Sequence, residues 1–124
     1  MSAEENIEKT KRAYAAFGNA DIDAASADLD DSIEWVVPGN STISGTYHGK
    51  DEVIGFWIKL AEKGFTTTPE HFLGDDDLVV VLTHIATEGE SADQADVLKF
   101  RDGKVVHFQS AGDTAMQERV WGTQ

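Results

Sequence analysis

ADVLKFRDGKVVHFQSAGDTA, residues 95–115, holds the pattern that decides the fold. Asp102-Gly103 is a two-residue hairpin signal, because a tight type I′ turn needs positive φ at both central positions. Apolar and polar residues alternate on either side of it, which predicts antiparallel strands over about 94–101 and 104–111. Asp96, Leu98 and Phe100 share one strand face, and Val97, Lys99 and Arg101 share the other. The apolar face is expected to turn inward and to carry Asp96 with it. On the second strand the same alternation turns Val106, Phe108 and Ser110 inward and His107 outward.

Two further strands are expected upstream, over about 65–73 and 78–88, joined by the loop GDDD at 74–77. Residues 50–63 read as a helix. Asp51 and Glu52 suit the positive end of its dipole, and Gly64 is a natural stop. Val53, Phe56, Trp57, Leu60 and Ala61 form its apolar stripe, which Ile54 and Ile58 widen, so a well-buried helix is expected. Residues 32–37 read as a strand with Ile33, Trp35 and Val37 on one face and Glu34 and Val36 on the other. Pro38-Gly39 ends it, and residues 38–49 read as a Gly- and Ser-rich loop. Residues 4–18 predict a helix with Ile7, Thr10, Tyr14 and Phe17 in one stripe. Residues 21–29 predict a second, short helix capped by Asp21. Segregated helices and antiparallel strands give an α+β class.

The chain has 124 residues, which fits one domain over 1–124. Its net charge of −13 argues against nucleic acid and anionic membrane as partners, since phosphates would be repelled. A hydrophobic content of 40% argues against disorder. There is no Cys, so disulfides and thiol chemistry are excluded. HExxH, GxSxG, P-loop and GxGxxG patterns are all missing, so no metal and no nucleotide cofactor are expected. The stretch MSAEENIEK is polar and acidic, unlike a signal peptide, and no run reaches membrane-spanning length. A cytoplasmic location is the resulting expectation.

Four segments in this order resemble the NTF2-like superfamily, in particular its ketosteroid-isomerase and SnoaL-like branches. They are YAAFGNADIDA (14–24), IEWVVPG (33–39), GTYHGKDEVIGFW (45–57) and the hairpin at 95–115. The resemblance implies a cone in which a curved, mainly antiparallel sheet wraps around three helices, a cystatin-like architecture with an apolar cavity. It also implies a homodimer formed through the convex sheet face, a small hydrophobic molecule as partner and no cofactor.

By the same resemblance, Asp96 matches the isomerases' oxyanion-hole Asp, a carboxyl that an apolar site keeps neutral so that it can donate a hydrogen bond. The other reading of Asp96 is a strand-end carboxylate at the solvated rim. Tyr14 matches the second oxyanion donor if one gap is allowed before Asp21; otherwise it is a core Tyr. The isomerases' base is an Asp just before a Pro at the end of the first strand, and here Val37 stands before Pro38. Asp113 matches an acid/base carboxylate of the cyclase branch, or is the N-cap of a short helix over 114–120. Trp35 and Val37, with Phe17, Phe56, Trp57, Leu98, Phe100 and Phe108, are the expected cavity wall and ligand contacts, or ordinary core. His48 is placed at the cavity mouth.

Two classes of function follow from the resemblance. One is a SnoaL-like, ketosteroid isomerase-related protein with isomerase- or cyclase-type proton transfer next to a carbonyl, carried by Asp96, Tyr14 and Asp113. It would not be a typical ketosteroid isomerase. The other is a non-catalytic binding or accessory module with the same cavity, which Val37 favours.

Overall fold

The computed structural model describes residues 2–124. Helix α1 spans Ala3–Gly18 and starts in a capping box, in which Ser2 and Glu5 satisfy each other's backbone N–H. Its inner face holds Thr10, Tyr14 and Phe17 as expected, together with Asn6 and Ala16. Helix α2 is only Ile22–Ser26, shorter than the pattern suggested, and Asp21 caps it by accepting a hydrogen bond from Ala24 N. The chain leaves α2 early because Leu29 already pairs with Val105, so strand β1 runs over Leu29–Val37.

Strand β2, Gly45–His48, was expected to be loop. It has no apolar alternation to reveal it. Its order comes from antiparallel pairing along the edge of β1, Val37 to Gly45 and Glu34 to His48. Helix α3 spans Gly49–Glu62. Val53, Phe56, Trp57 and Leu60 are buried, but Ile58 and Ala61 face solvent, so its apolar face is narrower than expected.

Strands β3 (Thr66–Asp75), β4 (Leu78–Thr87), β5 (Glu90–Arg101) and β6 (Lys104–Ala111) complete one sheet in the order β2-β1-β6-β5-β4-β3. All neighbours are antiparallel except β1 and β6, which run parallel. The Asp102-Gly103 turn has positive φ at both residues, 51° and 77°, as a tight hairpin requires. Glu88-Gly89 has the same form, at 49° and 78°, and lets β5 begin four residues earlier than expected.

One register detail corrects the alternation on β6. Lys99 faces His107 while Phe100 faces Val105, so Val106 is an extra residue in a bulge. The bulge turns Val105 inward beside Phe108 and Ser110 and leaves Val106 outside. A fourth helix, α4, spans Thr114–Trp121. Its far end is tied to the loop after β1 through Thr42 N to Gly122 O and Gln124 N to Asn40 O, both 2.9 Å. Helices α1 and α3 pack against one face of the sheet. The opposite face shows exposed Leu73, Leu78 and Leu82. Among the described residues, no helix is long and apolar enough to cross a membrane.

Candidate functional site

A cavity of about 120 Å³ lies between that inner sheet face and the helices. Two rows of side chains cross its floor. In the first, Trp35 on β1 stands beside Phe108 on β6, which stands beside Leu98 on β5. Trp35 and Phe108 are stacked, with ring centres 3.5 Å apart and planes within 11°. Helix α3 presses Trp57 against Trp35, edge to face at 5.7 Å, and Phe17 of α1 meets Trp57 at 5.5 Å. Such pairs add to the burial of the rings themselves.

The second row is Val37, Ser110 and Asp96. Ser110 pairs directly with Asp96, and the register of β1 on β6 sets Val37 on its other side. Two strand spacings therefore separate Val37 from Asp96, about 10 Å. Every expected wall residue lines the cavity: Phe17, Trp35, Val37, Phe56, Trp57, Leu98, Phe100 and Phe108. Tyr14 and Asp96 line it too.

Tyr14 and Asp96 are 82 positions apart in sequence, and α1 brings them together. The Tyr14 hydroxyl donates to Asp96 Oδ2 at 2.5 Å. Gln94 Nε2 donates to Asp96 Oδ1 at 2.9 Å. Asp96 is 4% exposed, and Phe72 closes the side of Tyr14 edge-on at 5.9 Å. Burial pushes the Asp96 carboxyl up to about 6, and the hydrogen bonds from Tyr14 and Gln94 hold it from rising further. Burial, reinforced by the Asp96 charge, pushes the Tyr14 hydroxyl well above its usual range, so it stays a neutral donor.

Burial raises the Asp96 carboxyl, the direction that a neutral acid requires, and the two donors that serve its oxygens oppose that rise.

Of the two readings of Asp113, the structure shows the N-cap. The residue is exposed at the start of α4, where its Oδ1 accepts from Met116 N at 2.9 Å, and it does not line the cavity. A carboxylate in that position satisfies orphan N–H groups of the first turn. His48 is likewise not at the mouth; it lies on the outer surface, 3.9 Å from Glu34. Glu34 points to that surface, as its alternation with Val37 predicts. The described residues contain no cluster of three or more His, Cys, Asp or Glu able to hold a metal.

The sequence reading missed several lining residues. Gln94 was legible, because it lies two positions before Asp96 and so shares its strand face. Asp28, between α2 and β1, lines the cavity with its carboxylate 3.9 Å from Lys104 Nζ. Gln117 and Trp121 enter from α4, whose placement no local pattern reveals.

Gly112 keeps the room that Gln94 needs. A methyl group there would stand 2.7 Å from Gln94 Oε1. The Gly112→Ala variant is expected to swing Gln94 off Asp96. Losing that donor should raise the Asp96 pKa above its present value near 6. Titration of the Asp96 carboxyl carbon by NMR reads this directly, and an unchanged midpoint would show that Gln94 does not hold the anion.

With this geometry in place, the comparison with known proteins is decisive for the family. The family model for the SnoaL-like domain matches residues 10–108. The chain belongs to the SnoaL-like family. Its fold is the NTF2-like cone. It is similar to Bal32a, from a soil-derived mobile gene cassette, with 26% identity over 96% of this chain and 98% of that one and a TM-score of 0.90. An NTF2-like protein of unknown function from Burkholderia pseudomallei shares 27% identity over 98% of each chain, with a TM-score of 0.84. TerC, crystallised with polyporic acid, shares 23% identity over 96% of this chain and 99% of its own, with a TM-score of 0.82, a likeness of fold. No curated protein matches the chain in sequence. In this SnoaL-like chain Tyr14 and Asp96 are hydrogen-bonded on the cavity wall, and Val37 precedes Pro38.

Proposed function

We propose that this SnoaL-like protein binds a small apolar ring compound in its cavity and moves a proton next to a carbonyl. The observation that carries this reading is the buried Tyr14–Asp96 pair on the wall of an otherwise apolar cavity. A base whose pKa lies near the working pH is both available and strong enough to act. Asp96 meets that condition with a value of about 6.

The step is a reversible enolisation. Asp96 takes the α-proton, so a C–H bond breaks and an O–H bond forms on the carboxyl. The released electron pair moves to the carbonyl oxygen, giving an enolate. Protonation makes Asp96 a poorer acceptor, so the Tyr14 hydroxyl transfers its hydrogen bond to the enolate oxygen, where charge develops. Asp96 then returns the proton to carbon. Apolar walls strengthen both interactions by excluding water.

The test is α-hydrogen exchange in heavy water with 1-indanone and 2-tetralone. Exchange is expected to rise as the pH passes about 6, as Asp96 ionises. Asp96→Asn should slow it by roughly 10²- to 10⁴-fold, the usual contribution of a positioned base. The second reading, a non-catalytic binding module, is favoured by Val37. A bound ketone that shows no exchange at any pH would establish that reading and sink the enzymatic one.

A further inference from the structure

Helix α4 carries two polar side chains that the Tyr14–Asp96 chemistry does not use. Gln117 is 8% exposed and lines the cavity, and its Oε1 has no partner among the described residues. Trp121, four residues on, also lines the cavity, and its Nε1 is buried and likewise unpartnered. Positions i and i+4 are neighbours on one helix face, about 5–6 Å apart at Cβ. The pair therefore sets an acceptor and a donor side by side. A second orphan donor at the cavity, Trp35 Nε1, belongs to its floor.

Buried polar groups in folded proteins are nearly always paired, so each exception needs a reason. Here the helix is held in place by bonds that leave these groups free. Besides the backbone ties to residues 40 and 42, the Thr42 hydroxyl donates to Trp121 O at 2.7 Å, and Arg119 bridges to Glu90 at 2.7 Å. The helix could turn its polar atoms to solvent only by breaking these contacts. Its inward face is thus fixed by the fold.

We infer that Gln117 and Trp121 form a second polar subsite that reads a hydroxyl group on the ligand. A hydroxyl is both donor and acceptor, so one oxygen can donate to Gln117 Oε1 and accept from Trp121 Nε1. A carbonyl or ether oxygen can serve only the Trp. This rests on the proposed reading of the cavity and narrows its ligand class. The ligand is an apolar ring compound with two oxygens, one at Tyr14–Asp96 and a second, hydroxylic one at α4.

The experiment uses the whole chain and a probe series read by calorimetry. The probes are 2-naphthol, the 1,6-, 2,6- and 2,7-dihydroxynaphthalenes, and the monomethyl ethers of the three diols. At least one diol is expected to bind about tenfold more tightly than 2-naphthol, the effect of one well-made buried hydrogen bond. Its methyl ether should lose that gain. Gln117→Leu and Trp121→Phe should each shrink the ratio of diol to 2-naphthol affinity, with circular dichroism reporting that the fold is kept. Tyr14→Phe should weaken every probe alike. If 2-naphthol binds and responds to Tyr14→Phe, but no diol gains or the gain survives both α4 substitutions, the subsite is overturned and the first reading stands. An ether as good as its diol would overturn the acceptor role of Gln117. No binding by any probe would overturn both readings together.

Discussion

The stability of the wild-type protein, measured against Asp96→Asn, is expected to fall by about 2 kcal/mol as the pH rises from about 4 to about 7. The Asp96 carboxyl has its pKa raised from 3.8 to about 6 by folding, chiefly through burial. The native state therefore holds this proton more tightly than the unfolded chain does. The contribution of a group with a raised folded pKa is fully present below the unfolded value and is lost as pH climbs through the folded one. The window thus lies between about 4 and about 6, and the curve should flatten above it. The other carboxylates are common to both proteins and cancel in the difference. Urea unfolding of the pair at half-unit pH steps makes the measurement. A difference that stays flat, or that grows with pH, would mean that Asp96 does not titrate as a buried group. The same property poises Asp96 for the proposed proton transfer, so the site is expected to be destabilising at the pH at which it works.

Trp57→Ala should cost about 3–5 kcal/mol, the usual range for truncating a large buried aromatic. Trp57 is 5% exposed and sits where three elements meet. It projects from α3, packs edge-on against Trp35 of β1, and meets Phe17 of α1 at nearly right angles, 76°. Removing it leaves the Trp35–Phe108 stack without its wedge and enlarges a cavity that already exists. Against a total stability of about 5–15 kcal/mol, such a loss takes a large share. Trp57→Phe should cost far less, because it keeps most of the ring contacts. Chemical denaturation at 25 °C checks both. A loss under about 1 kcal/mol for Trp57→Ala would show that this side chain faces the ligand space alone and carries no part of the core.

Some of the candidate site was legible in the chain and some was not, for reasons that can be named residue by residue. Trp35, Val37, Leu98 and Phe100 were legible because strand alternation reports which face is apolar, and the apolar face lines the cavity. Phe56 and Trp57 were legible from helical spacing. Asp113 was ambiguous, since the same residue type caps helices and does acid/base work, and only its exposed place at the start of α4 separates the two. Val105 and Val106 were exchanged by a bulge, which is a property of the pairing between strands and leaves no mark in one strand.

The sequence by itself determined the α+β class, the Asp-Gly hairpin and the absence of a carboxylate at position 37, and it left Asp96 open between the inner face and the rim. The first three follow from periodicities or residue types that act over a few positions. Tertiary structure alone decided that β2 exists, that α4 brings Gln117 and Trp121 to the cavity, and that Tyr14 stands 2.5 Å from Asp96. It also decided which groups act on the Asp96 proton. Burial favours the neutral acid and two donors favour the anion, and those donors come from different elements. No local pattern can weigh a desolvation cost against a hydrogen bond from a helix 82 residues away.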